Sequence, residues 1–245
     1  MTNGGSHVVA ISGGKDSTAM AIALRDLEPR EYIYLCTPTG NELPELDAHW
    51  KNLESILGSP INRVSNRTLE WWIGEQRALP NFRMRWCTRI LKIEPCQAFL
   101  LALPPPVVLY VGLRDDEPGR VGAQYSGMVT ERYPLREWGW KKDDVVSFLR
   151  SKGIAVPTRT DCAWCYYQRI EDWWNLWKNN PESYQGGVDV EEMIGHTFRS
   201  AGRDSWPASL ADLRSEFERG RTPRSVSFQL PLFDDEPPPC RVCSL

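Results

Sequence analysis

Six consecutive residues, Ser12-Gly13-Gly14-Lys15-Asp16-Ser17, carry the chemistry that a phosphate group asks of a protein. They begin at the end of a short apolar run, His7 to Ser12, and open an apolar helical pattern from about Asp16 to Leu27. Paired glycines allow unusual backbone angles and let a ligand approach the main chain closely. A helix N-terminus behind such a loop adds unpaired amides and a positive dipole end, and Lys15 adds a point charge. Ser12 and Ser17 add hydroxyls. The spacing is shorter than the Walker pattern, whose Lys-Ser/Thr pair follows a longer glycine-bounded loop. A bare glycine turn with an exposed lysine would need only part of this set.

A second chemistry lies in the cysteines. Seven are present, and four form two C-x-x-C pairs, Cys162/Cys165 and Cys240/Cys243. In a reducing compartment such pairs point to metal binding or redox work more than to structural disulfides. Zinc on all four would be a closed tetrahedral site stapling the C-terminal tail. The two pairs lie farther apart than in compact zinc ribbons, and reduced cysteines without metal are the third reading. Cys36 and Cys96 fall on a strand and a helix and read as packing residues. The three histidines, His7, His49 and His196, are too scattered for a histidine-rich metal site.

These groups need elements to position them. Strands are expected at His7–Ser12, Tyr32–Cys36, Ile61–Val64 and Val107–Leu113. Helical patterns cover Asp16–Leu27, the stripe Leu46, Trp50, Leu53, Leu57, and a segment with Trp71, Trp72 and Ile73 capped by Thr68. Further helices are expected from Pro95 to about Leu103, Lys141–Lys152, Arg169–Asn179 and Ser205–Gly220. Strand and helix alternate through the first half, which predicts an α/β fold with a parallel sheet and helices on both faces. In such sheets ligands sit beyond the carboxyl ends of the strands. The loop Ser12–Ser17, the turn Pro38-Thr39-Gly40 and the charged segment Arg114, Asp115, Asp116, Glu117, Arg120 all follow strand ends. The acids there, or Asp16, suit Mg²⁺ on phosphates, and an arginine suits a phosphate or sulfate. A solvated charged loop explains the acids equally well. Trp164 and Tyr166, with Arg159 and Arg169, suit stacking on a nucleobase or simple packing around a metal site.

Composition narrows the class. Of 245 residues, 41% are apolar and 25% charged, with 29 Lys plus Arg against 32 Asp plus Glu, a formal charge of −3. That excludes a strongly basic coat, though not a local basic groove. No apolar run reaches a membrane span, and the N-terminus lacks the pattern of a signal peptide, so a cytoplasmic location is expected. The expected division is a nucleotide-binding α/β domain over 1–160 and a cysteine-rich helical region with an extended tail over 161–245.

Ser-Gly-Gly-Lys-Asp-Ser resembles the signature of the PP-loop ATP pyrophosphatases. Within them, Cys87–Pro95 (CTRILKIEP), Gly112–Arg120 (GLRDDEPGR), Tyr133–Trp138 and then Cys162-Ala-Trp-Cys165 resemble, in order, the phosphoadenosine phosphosulfate (PAPS) reductase branch. The likeness covers roughly 7–185. It implies an adenine nucleotide α-hydrolase-like fold binding ATP, or PAPS and its non-phosphorylated analogue APS, through Ser12 to Ser17, Thr39, Gly40, Gly112 and Arg120, with Lys15, Asp16 and Arg114 in catalysis. It also implies a 4Fe–4S cluster on Cys87, Cys162 and Cys165, with Cys240 or Cys243 as a fourth ligand or one iron left open, and Arg89 and Lys92 beside it. Zinc remains the alternative.

Departures matter. Thr88 replaces the second cysteine of the branch's Cys-Cys pair, Pro38 replaces an aspartate, and the C-terminal Glu-Cys-Gly-x-His motif is absent. They weigh against sulfonucleotide reduction with Cys240 or Cys243 as nucleophile. The favoured expectation is adenylation of an acceptor followed by thiolation, fed by a sulfur or thiol donor protein. The acceptor, a nucleic acid among the options, and the oligomeric state, a homodimer included, stay open. A non-catalytic nucleotide-binding module with a zinc-stapled tail is the remaining alternative.

Overall fold

A computed structural model describes residues 5–123, 125 and 127–224. Five strands form one fully parallel sheet: β1 (Ser6–Ala10), β2 (Ile33–Cys36), β3 (Ile61–Arg63), β4 (Val107–Tyr110) and β5 (Val129–Arg132). Their order is β3-β2-β1-β4-β5. The chain winds outward from β1 through β2 to β3, then crosses back to β4 and β5. The strand order therefore reverses between β1 and β4, and the carboxyl ends of these two strands are where a doubly wound sheet places its ligand.

Alternation along the strands decides which helices cover which face. Val9, Ile11, Tyr34, Cys36 and Tyr110 pack under α1 (Lys15–Leu27), α2 (Pro44–Leu57) and α7 (Lys142–Ser151). Val8, Ala10, Leu35, Val107, Leu109 and Val111 face the other way, onto Cys96 and Leu100 of α5 (Glu94–Leu101). Cys36 and Cys96 are buried packing residues, as expected. Both faces are covered, as the apolar strands require.

A second core joins early and late segments. Leu69 and Ile73 of α3 (Leu69–Gln76), with Leu79 and Leu91, pack against Trp164 of the C-x-x-C loop, Trp173 and Leu176 of α8 (Ile170–Asn179), Tyr184 and Val188 of α9 (Pro181–Ile194), and Leu213 and Phe217 of α10 (Leu210–Glu218). Thr68 caps α3, its Oγ1 accepting from Trp71 N at 3.2 Å.

Several expected boundaries shift. The helix expected from Pro95 begins earlier, with α4 (Trp86–Thr88) and a π-helical turn over Arg89–Ile93 leading into α5. Pro95 has no amide to donate, and the wide turn before it, closed by Glu94 N to Arg89 O, accommodates that loss. The last helix starts at Leu210 because Ser209 caps it, its Oγ accepting from Asp212 N at 3.1 Å. α6 (Pro134–Glu137) is one turn. No helix among the described residues is long and apolar enough to cross a membrane.

Candidate functional site

The loop after β1 is held by its own hydroxyls. Gly14 N donates to Ser12 Oγ (3.3 Å), Ser12 Oγ meets Ser17 Oγ (3.0 Å), and Ser17 Oγ donates to Gly14 O (3.1 Å). One proton order satisfies the ring: Ser12 donates to Ser17. Ser17 Oγ also accepts from Ser12 N at 3.2 Å. The two serines thus shape the loop. Gly14 is the N-cap of α1 and makes no side-chain cap, so the first amides of the helix have no acceptor within it. Gly13 sits at φ +84°, and a Cβ there would come within 2.4 Å of Leu46 Cδ1 and 2.8 Å of Trp50 Nε1. Gly112, after β4, lies so close to Ser17 N that a Cβ would stand 3.1 Å from it.

Charge at the loop mouth is organised by Arg114. This buried guanidinium reaches both oxygens of Asp16 from Nη1 (2.8 and 3.0 Å), Asp116 from Nε (2.8 Å) and Glu117 from Nη2 (3.5 Å). Burial opposes its charge, but Asp16, Asp116 and Glu117 outweigh that and hold it protonated. Asp16 also lies 3.6 Å from Lys15 Nζ. Burial still raises the Asp16 pKa, against the pull of Lys15 and Arg114. Arg120 pairs with Glu117 at 3.0 Å. Arg136 donates to the carbonyls of Arg114, Glu117 and Arg120 at 3.2, 2.6 and 2.7 Å. Arg114 is therefore a clamp on Asp16 and its neighbours. Asp16, Asp116 and Glu117 are all paired to arginines, which leaves the exposed Asp115 as the freer carboxylate of this set.

Thr39 and Gly40 follow β2, and the carboxylate of Glu42 fastens their turn. It accepts from Thr39 N, Thr39 Oγ1 and Gly40 N at 2.6, 2.7 and 2.9 Å. The next residue, Asn41, is one that sequence reasoning missed. Its carbonyl accepts from Ala163 N (2.7 Å) and its Oδ1 from Trp164 N (3.0 Å), tying the C-x-x-C loop to the end of β2. Nothing local marks it, because its partners lie 122 and 123 residues on.

Cys87, Cys162 and Cys165 line one pocket with Thr39, Lys92 and Asp161. The five described cysteines form no disulfide. Cys162 O and Cys165 N close a turn at 3.1 Å, and Arg159 Nη2 holds Cys162 O at 2.8 Å. Burial pushes the Cys87 thiol up to about 11, with the neighbouring Cys162 adding to it. A bound cation would reverse that preference, since metals take thiolates. Among the described residues no three His, Cys, Asp or Glu side chains converge on a single ion. Thiolates are the donors an iron–sulfur cluster takes, one to each iron, so the chemistry of the three pocket cysteines suits such a group. Arg89 points outward to Glu94. Cys240 and Cys243 lie outside the described residues.

The two halves of the site adjoin. A Cβ at Gly14 would lie 3.5 Å from Thr160 Oγ1, and Asp161 and Cys162, the next residues, are in the pocket wall. Thr39 stands in the same wall.

The molecule is a doubly wound α/β protein whose glycine loop sits at the switch point of its sheet, with a cysteine pocket beside it. The chain belongs to the phosphoadenosine phosphosulfate reductase domain family, whose model matches residues 6–159. Over 111 residues it is 29% identical to MJ0066, an uncharacterized protein of Methanocaldococcus jannaschii, a match covering 45% of this chain and 23% of that protein. The matched part is thus under a quarter of that relative's length. The chain is also similar to the crystal structure of phosphoadenylyl-sulfate (PAPS) reductase from Candida auris in its phosphate complex. There the identity is 12% and the TM-score 0.49, over 63% of this chain and 76% of that one.

Proposed function

We propose that this protein is an adenine-nucleotide-dependent sulfur-transfer enzyme. The observation that carries the reading is the adjacency of loop and cysteines: Thr160 abuts Gly14, and Cys162 stands two residues on in the pocket wall. With ATP, an acceptor oxygen attacks the α-phosphorus, the bond to pyrophosphate breaks, and the acceptor carries AMP. A sulfur nucleophile from a donor then displaces AMP and leaves a thiolated product.

The amides heading α1 and the ammonium of Lys15 neutralise the leaving pyrophosphate, in a site already shaped before substrate arrives. Arg114 keeps Asp16 at the loop mouth, where its carboxylate can share a Mg²⁺ with the phosphates. Cys87, Cys162 and Cys165 would hold a 4Fe–4S cluster, which would supply iron able to bind sulfur. Lys92 offsets the negative charge of the thiolates around it.

The test is pyrophosphate release from ATP in the presence of candidate acceptors. Lys15→Ala should lose about 100-fold or more of that turnover while its circular dichroism stays unchanged. Unchanged turnover would sink the role of the loop. Sulfite release from PAPS or APS, without pyrophosphate release from ATP, would replace the reading with sulfonucleotide reduction.

A further inference from the structure

The segment that carries Cys87 also forms a surface that the reaction above does not use. From Arg77 to Lys92 the chain has five cations and no Asp or Glu, although acids outnumber bases in the chain as a whole. Arg89 is taken by Glu94, and Lys92 faces the pocket. Arg83 and Arg85 are exposed, and among the described residues no carboxylate pairs with either. Alternating with them, Phe82 is 46% and Met84 50% exposed. The Phe82 ring stands nearly perpendicular to Tyr166 and Tyr167, with centroids 5.3 and 4.7 Å away, and Arg203 lies over it at 5.9 Å. These two tyrosines follow Cys165, and Tyr166 belongs to the wall of the cysteine pocket. The aromatic and cationic surface is therefore the pocket's rim.

An exposed ring, Phe82, and an exposed thioether, Met84, interleaved with guanidiniums that pair with no carboxylate among the described residues, match the needs of a single nucleic-acid strand. Bases stack on ring faces whatever their identity, and phosphates pair with the arginines. A duplex keeps its bases stacked inside and offers this rim only its backbone. We propose that the rim binds a single-stranded segment of nucleic acid and presents a base to the cysteine pocket, which makes that base the acceptor. The fate of the base rests on the sulfur-transfer reading; the binding does not.

Fluorescence anisotropy without ATP tests it. The probes are a labelled single strand of about 12 nucleotides, as RNA and as DNA, the same sequence as a duplex, and polyglutamate of equal charge. The single strand should bind most tightly. Arg83→Ala with Arg85→Ala should flatten the dependence of log K on log salt by about 0.7 per lost phosphate contact. Phe82→Ala should weaken binding by about 5- to 100-fold and leave that salt dependence unchanged. Duplex or polyglutamate binding as tight as the single strand, no single-strand binding, or variants that bind like the parent would each overturn the proposal. Polyglutamate binding would point to an acidic protein partner instead. No nucleotide is turned over in this assay, so its failure leaves the pyrophosphate test standing, and the reverse also holds.

Discussion

Gly13 is where a single atom decides the geometry of the loop. Its φ of +84° is strained for any residue with a Cβ, and that Cβ would also strike Leu46 and Trp50. Gly58 separates the two effects, since it has φ +67° and nothing within 4 Å of an added Cβ. Gly58→Ala should cost about 1–2 kcal/mol, the left-handed penalty alone. Gly13→Ala should cost about 2–5 kcal/mol, because overpacking against α2 adds to it. Denaturant midpoints of both variants check this, and equal losses would mean that α2 yields to the methyl group. Glycine and serine at these positions were legible because their reasons are local: a turn, a helix start, short hydroxyls. Asn41 was illegible for the opposite reason. An asparagine after a glycine reads as an ordinary turn residue, and its work is done on Ala163 and Trp164, far along the chain. Arg114 lies between, since its place after β4 was readable but its commitment to Asp16 was not.

Elements with strong periodicity, such as α1, α2 and the apolar strands, could be read directly. β5 and α9 could not. β5 is an edge strand whose residues Val129-Thr130-Glu131-Arg132 are only partly buried, so no apolar run announces it. α9 contains Gly186 and Gly187, which break a helical pattern on paper. In the fold they admit Trp164, whose ring would lie 2.9 Å from a Cβ on Gly186. α9 also carries Glu191, a buried carboxylate that accepts from Phe198 N at 2.8 Å and Leu210 N at 2.6 Å and so joins α9 to the start of α10. Burial pushes its pKa up to about 7, with the two amide bonds and Arg199 opposing. The folded state thus holds this proton more tightly than the unfolded chain does. The stabilisation is complete below the ordinary carboxylate value of 4.5 and is lost as pH rises to about 7. The size is on the order of 3 kcal/mol. Glu191→Gln cannot titrate, and it places an amide N–H against one of the two donors. The stability gap between parent and variant should therefore shrink between pH 5 and pH 8. Urea denaturation at several pH values measures it, and a constant gap would show that Glu191 titrates normally.

At the scale of the whole molecule, the class of fold followed from alternation of strand and helix, while the meeting of Cys87 with Cys162 and Cys165 depended on tertiary packing. Cys87 lies inside the segment that matches the family, and the C-x-x-C loop lies just beyond residue 159. The second core, shared between α3 and the helices α8 to α10, is what holds the two segments against each other. This arrangement separates the two metal readings without any need to know the tail. Zinc on the two C-x-x-C pairs would not involve Cys87, whereas a cluster in the pocket requires it. Anaerobically purified protein should contain iron and labile sulfide and absorb broadly in the visible. Cys87→Ser should lose that iron as fully as Cys162→Ser does. Cys240→Ser with Cys243→Ser in the full chain should keep most of it, because three thiols already line the pocket. The opposite pattern, zinc retained in Cys87→Ser and lost in the tail double variant, would move the metal out of the pocket and leave the sulfur-transfer reading without its second half.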